Sequence, residues 1–282
     1  MFKIITFDDT AIIYKHTNLQ HLIDNLNSEI AKVNVWLKAN KLSLNTNKTK
    51  LIIFHSHRKK ILTNFDVKID GLIIKRYESL KYLGVFFDEH LTWKKQLSII
   101  NTKLSKTSGI MAKLRHYCNL STLRGIYYSL FYPYIIYGIV CWGCALPTHL
   151  KPLQILQNKT VRIMTFSDFQ APSNPIFLQL NFLKIDQVFQ LQALLLLYKY
   201  HHSMLPEVFE GYFTPISNIH NHYTRFSSSN YVMKKNRNNY GRYSPSNIMT
   251  HLWSELDDDA KTLPIGMFKS RVINILKYNY QL

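Results

Sequence analysis

The order of patterns along this chain predicts an α+β protein, with its strands confined to roughly the first third and helices filling the rest. Three observations carry that expectation. Short β-branched and aromatic runs alternate with one long helical period before Trp93, helical spacing dominates after it, and the composition is rich enough to fill a core. Of 282 residues, 46% are hydrophobic and 18% charged, with Gly and Pro at nine each, which excludes wholesale disorder, a collagen-like repeat and a coiled-coil rod. The length suits one large or two ordinary domains.

Residues 3–7 and 10–14 read as two short strands about a turn that carries Asp8 and Asp9. From Thr17, an expected N-cap, apolar residues recur at Leu19, Leu22, Ile23, Leu26, Ile30, Val33 and Leu37, so a helix is expected to run to about Asn40. Residues 51–55 read as a strand, 67–75 as a hairpin about Asp70 and Gly71, and 82–87 as a further strand. Past Trp93, Lys95, Lys103, Lys106 and Lys113 fall within about 80° of one another at 100° per residue, with Leu97, Ile100, Leu104 and Met111 opposite them. One face should bury and the other is basic. Further helices are expected from a cap at Ser121 and over 153–165, 185–201 and 265–280. The Asn-, Ser- and Tyr-rich residues 214–247 read as a long irregular loop.

Lys plus Arg number 35 against 17 acids, a formal charge of +18, which favours a polyanionic partner: nucleic acid first, an anionic membrane surface second. The distribution says more than the total. Between Glu89 and Asp168 lie 78 residues without an acid and with ten bases, among them Arg115, Lys159 and Arg162. A second acid-free stretch, from Gly211 to Ser254, interleaves Arg225, Lys234, Lys235, Arg237 and Arg242 with Phe226, Tyr231, Tyr240 and Tyr243, a mixture that holds a strand by charge and stacking. A solvated lysine face and a flexible surface loop are the plain alternatives.

Three cysteines, Cys118, Cys141 and Cys144, are too few for a disulfide framework, and no apolar stretch of leader length opens the sequence. An intracellular location, cytoplasmic or nuclear, with no disulfide partner is expected. Cys141 and Cys144 are expected as buried free thiols rather than a metal or redox pair. The twelve histidines, His55, His57, His201 and His202 among them, read as surface or core residues. Residues 125–150 carry no formal charge, yet five scattered tyrosines and Pro133 favour a buried helix pair over a membrane span. Asp257, Asp258 and Asp259 read as a helix cap and solvated turn.

Adjacent aspartates at a hairpin tip are what one side of a two-metal phosphoryl-transfer site needs, although the dipeptide alone marks a solvated turn more often. Its surroundings are more specific. The run Thr6-Phe7-Asp8-Asp9-Thr10-Ala11 resembles the Asp-Asp core of reverse transcriptases of non-LTR (LINE-type) retrotransposons. In the same order, Trp36 to Asn45 with Lys48, Thr49 and Lys50 resembles the next palm motif, and Leu80-Lys81-Tyr82-Leu83-Gly84-Val85 the following hairpin, which grips the primer. The segments Tyr134 to Gly143, Leu156 to Lys159 with Arg162, His222 to Arg225, Leu252-Trp253 and Phe268-Lys269 are similar to later parts of the same elements.

The resemblance implies a truncated palm at 1–89 with a partial antiparallel sheet and one packed helix, a basic helical thumb at 90–167, and a C-terminal helical region at 168–282. It implies Asp8 and Asp9 as remnant catalytic and metal-holding residues, with Mg²⁺ the cofactor of the intact enzyme and none stably bound here. It implies RNA and DNA, as template and primer, as partners. Lys48, Lys50, Tyr82, Leu83, Gly84, Lys95, Lys103, Lys106, Lys113 and Arg115 are the expected contacts, together with Arg225, Lys234, Lys235 and Arg237. Only seven residues precede Asp8, whereas the family carries another catalytic aspartate and the fingers upstream, so copying by this chain alone is not expected. Phe7 stands where the family has a small residue. The alternatives are a repurposed nucleic-acid-binding or scaffold protein and a membrane-associated one.

Overall fold

Strand β1 (Phe2–Ile5) pairs antiparallel with β2 (Ala11–Tyr14), in the register Phe2 to Tyr14 through Ile5 to Ala11. The computed structural model describes residues 2–5, 11–42, 44–45, 48–59, 61, 66–218 and 229–278, and divides into two units, Met1–Gln96 and Leu97–Leu282. Asp8 and Asp9 lie outside the described residues.

In the first unit, helix α1 (Leu19–Ala39) starts one residue later than the expected cap. The Asn18 side chain accepts from the backbone N–H groups of Gln20 and His21, satisfying two of the donors that a helix start leaves open. Its buried stripe, Ile23, Leu26 and Ile30, meets Ile53, Val67, Ile69 and Ile74 to form this unit's core. Asn27 ties the helix to the next strand, donating to the Asp66 carbonyl and accepting from the Lys68 N–H. Strands β3 (Lys68–Ile69) and β4 (Leu72–Ile73) pair about Asp70 and Gly71, both at positive φ, the backbone that an Asp-Gly hairpin favours.

The expected strand over 51–55 makes only one parallel bridge, Leu51 to Arg76. The expected single strand over 82–87 is instead the turn and second arm of a hairpin. Strand β5 (Ser79–Tyr82) reverses through Leu83 (φ 44°) and Gly84 (φ 81°) into β6 (Val85–Asp88). A leucine at positive φ breaks the local rule that a strand reading uses. The three strand pairs are separate two-stranded ladders among the described residues.

The Asp88 carboxylate then accepts from the backbone N–H groups of His90, Thr92 and Trp93, fixing the turn that leads into helix α2 (Lys94–Leu114). Leu97, Ile100, Leu104 and Met111 are buried on it. Helix α3 (Leu120–Ile126) is capped by Asn119, which accepts from Thr122 N–H, and not by Ser121. The uncharged run beyond it is no simple helix pair. A wide π-type turn (Tyr127–Phe131) leads into α4 (Tyr132–Ile136), Gly138 at φ 63° breaks the chain, and α5 (Ile139–Trp142) follows. Pro133, lacking an N–H and intolerant of a preceding regular turn, accounts for the widening. No helix among the described residues is long and apolar enough to cross a membrane.

Helix α6 (Pro147–Thr165) ends at Phe166 in the left-handed region, α7 (Ser173–Leu180) at Asn181 likewise, and α8 (Ile185–His201) follows. Nearly every side of α8 is covered: Val188, Leu191, Ala193, Leu194 and Leu197 are all buried. Close approach there demands a glycine, because a Cβ on Gly143 would stand 2.5 Å from the Phe189 ring and 2.6 Å from the Ile139 carbonyl. Part of the expected irregular region is built. Pro215 bridges Tyr231, whose ring is buried, and the short α9 (Asn239–Arg242) precedes α10 (Pro245–Ser254). Helices α11 (Asp258–Thr262) and α12 (Ile265–Tyr278) complete the order. Asp258 is more than a solvated turn residue: it faces the buried Lys261 ammonium at 3.0 Å, which also donates to Asn230.

Candidate nucleic-acid interface

In the first unit the sequence-predicted contacts are exposed but already partly engaged. Lys50 stands 5.3 Å from the centre of the Tyr77 ring, with Lys75 at 5.6 Å from the same ring, and Lys48 is exposed nearby in sequence. Leu83 and Gly84 form the exposed hairpin tip and Tyr82 is half-buried beneath it. Lys95 turns back onto that hairpin, donating to Ser79 Oγ at 2.8 Å and lying 5.1 Å from the Phe86 ring centre. A hydrogen-bonded, ring-stacked ammonium is less available to a phosphate than a free one.

In the second unit the basic face of α2 meets no counter-charge among the described residues. Lys103, Lys106 and Lys113 are exposed, and among the described residues none has an ion pair with a carboxylate; Lys103 lies 4.8 Å from the Tyr134 ring centre, which steadies it without neutralising it. Beside this face runs an open groove between α2 and α6. One stretch is lined by Ser105, Ser108, Gly109 and Ala112 against Leu156, Lys159 and Ile163, and the next by Arg115, Lys159, Arg162, Ser167 and Phe169. Small residues on α2 leave the space; cations on α6 line it.

The cations in the groove are held from behind. Arg115 stacks on Phe166 at 4.4 Å and donates to the Ile163 carbonyl, while Arg162 donates to the Ala171 carbonyl at 2.8 Å. Carbonyl and ring partners orient a guanidinium while leaving its charge uncompensated, as anion binding requires. Periodicity along one helix does not single out Lys159 or Arg162; the signal that does is the acid-free run they share with the lysines of α2.

Beneath the groove, Gln157 is wholly buried and cross-links three parts of the unit. Its amide donates to Tyr127 Oη and the Leu183 carbonyl, and its oxygen accepts from Ile185 N–H. All its capacity is used, so it fixes α6 against the π-type turn that follows α3 and against the start of α8. In the second basic stretch Lys234, Lys235 and Arg237 are exposed, and Arg225 lies outside the described residues.

For metal chemistry, Asp8 and Asp9 also fall outside the described residues. Cys144 is buried and donates to the Cys141 carbonyl, Cys118 is half-buried, and Cys141 is exposed, contrary to its expected burial; all three are free thiols. The described residues that converge as possible metal ligands are His55, Glu89 and His90, the two histidines being expected only as surface or core residues.

No protein-family model matches the chain, and no solved structure does. Curated relatives do. An RNA-directed DNA polymerase from the mobile element jockey of Drosophila melanogaster is 27% identical over 159 residues, 55% of this chain and 17% of the relative. A probable RNA-directed DNA polymerase from transposon X-element of the same organism is 27% identical over 162 residues, 56% of the chain and 17% of the relative. A further probable RNA-directed DNA polymerase, from transposon BS, is 24% identical over 186 residues, 64% of the chain. The matched region spans only about a fifth of the length of these relatives. Over more than half of its length the chain is therefore related in sequence to RNA-directed DNA polymerases of non-LTR mobile elements.

Proposed function

We propose that this chain holds RNA or DNA by its phosphates, as the strand-holding part of a reverse transcriptase of the non-LTR retrotransposon type. Residues 1–89 are read as the end of a palm, 90–167 as the thumb and 168–282 as the C-terminal region. The observation that carries the reading is the uncompensated cation array on α2, the residue just after it, and α6: Lys103, Lys106, Lys113, Arg115, Lys159 and Arg162, none with a carboxylate partner among the described residues. Such an array supplies affinity that falls with salt and carries little sequence preference. Asp8 and Asp9 would hold Mg²⁺, and copying is assigned to the longer polymerase rather than to these residues alone.

The test is fluorescence anisotropy of the full chain with a labelled primer–template duplex and two scrambled duplexes. The expected result is similar affinity for all three and loss of binding to a peptide nucleic acid strand of the same sequence, whose backbone is uncharged. Equal affinity for the uncharged strand would overturn the proposal.

A further inference from the structure

The first unit brings together two imidazoles and a carboxylate that nothing in the nucleic-acid reading uses. His55 follows the segment that bridges Arg76, and Glu89 and His90 sit in the turn after β6. His55 N–H donates to the Glu89 carbonyl, and the Asp88 carboxylate accepts from His90 N–H, so the backbone of both ligand-bearing segments is fixed. All three side chains are largely buried, at 12%, 15% and 20% exposure for His55, Glu89 and His90.

The tautomers follow from the partners. His55 Nδ1 lies 3.0 Å from the Ser56 carbonyl and His90 Nδ1 lies 2.9 Å from the His55 carbonyl. A carbonyl oxygen only accepts, so both Nδ1 atoms carry a proton and Nε2 is the ring nitrogen that each histidine turns away from its carbonyl. Both Nε2 atoms face Glu89: His55 Nε2 stands 3.4 Å from Oε2 and His90 Nε2 stands 3.7 Å from Oε1. The separations exceed a good hydrogen bond, yet they approach the distance of about 3.3 Å between neighbouring ligands on a tetrahedral ion with bonds near 2.0–2.1 Å. The backbone-bonded Nδ1–H is also the arrangement that orients metal-binding histidines.

Arg76 is the other cation present. Its guanidinium donates to Glu89 Oε2 at 2.7 Å and lies 3.5 Å from His55 Nε2, whereas Glu89 Oε1 and His90 Nε2 face each other on the other side of the carboxylate. Burial pushes the Glu89 carboxyl up, and the hydrogen bonds and charges of Arg76 and then His55 together bring it below the usual carboxylate range. The His57 ring packs on His90 at 3.7 Å between centres, covering its face.

We infer that His55, Glu89 and His90 form a binding site for a zinc-like divalent transition ion, which clips the segment around residue 55 to the turn after β6. Two imidazoles and one carboxylate leave a fourth position for water. Arg76 holds the carboxylate from outside, and its charge makes the site a moderate rather than a very tight one. The inference stands apart from the nucleic-acid reading and survives or fails independently of it.

The test uses tag-free full-length chain, stripped with chelator, titrated with Zn²⁺ and then desalted for metal analysis, with Co²⁺ as a spectroscopic probe. The expected results are one zinc per chain, a rise in melting temperature with Zn²⁺, and the visible absorption of tetrahedral cobalt. His55→Asn and His90→Asn keep a side-chain N–H for the carbonyl bonds but remove Nε2, and each should abolish stoichiometric binding while circular dichroism stays unchanged. His57→Ala should retain the metal. Less than a tenth of an equivalent of zinc in the wild type, or full stoichiometry in the His55→Asn, His90→Asn double variant, would overturn the inference.

Discussion

Helices α1 and α2 are each 21 residues long, and each buries an apolar stripe and exposes a polar one, yet their outer faces differ in kind. On α1 the charges are answered: Lys32 pairs with Glu29, Lys38 with Asp70, and Asp24 takes a bond from Gln20. Lys38 and Asn34 hold the Asp70 carboxyl below its ordinary range. On α2, Lys103, Lys106 and Lys113 have no such partner among the described residues, and the neighbouring helix adds Lys159 and Arg162 rather than acids. Amphipathic spacing is the same in both. What separates a solvated face from an anion-binding one is whether the structure supplies the counter-charge or leaves it to a ligand.

The widest separation between the two faces should come from reversing charge on one of them. Lys103→Glu, Lys106→Glu, Lys113→Glu together should weaken duplex binding on the order of a hundredfold or more in anisotropy titrations at moderate salt. The same exchange at Lys32 and Lys38 on α1 should change it less than twofold. Equal losses from both helices would remove the distinction. Next, Lys159→Gln with Arg162→Gln should weaken binding on the order of tenfold, since the groove is expected to contribute about two phosphate contacts.

The scaffold beneath the basic groove is expected to respond to apolar substitution. Gln157→Leu removes the buried amide that donates to Tyr127 Oη and the Leu183 carbonyl, while Ile185 N–H keeps Gln154 Oε1, and should lower unfolding stability by about 1–3 kcal/mol by urea denaturation. Gly143→Ala should cost a similar amount, about 1–3 kcal/mol, through the clash with Phe189 and the Ile139 carbonyl. Neither change on α1 of an exposed charge, such as Lys32→Gln, should approach that.

The smallest expected effect is a pH response of α8. Burial, then the nearby His202 and Lys261, depress the proton affinity of His201 below its ordinary 6.5, so the folded state prefers the neutral ring. Between that lowered value and 6.5 the unfolded chain binds more protons than the folded one. Stability is therefore complete above 6.5 and falls as pH drops below it. A melting curve series from pH 7.5 to 5.5 should show a decline that His201→Gln reduces.

Much of the first unit was legible because its signals are local. Asp70-Gly71 names its turn, and the α1 stripe matches its burial. The Leu83-Gly84 hairpin was not legible from propensity, since a leucine at positive φ contradicts the local preference that a strand reading relies on. Charge patterning located the basic face of α2, whose lysines share one helix. It did not reveal the groove, which needs the packing of α6, nor the His55, Glu89 and His90 cluster, which joins positions more than thirty residues apart through the pairing around β5 and β6. Sequence spacing shows ligands only when one element carries them.

The most direct measurement of the central claim is the slope of log affinity against log salt for a short DNA duplex, taken for the full chain and for Lys103→Gln, Lys106→Gln, Lys113→Gln together. A strand held by phosphate contacts on α2 requires a steep negative slope in the native chain, made shallower by about 2 to 3 in the variant. Identical slopes for the two proteins would show that the open cations of α2 do not touch the strand.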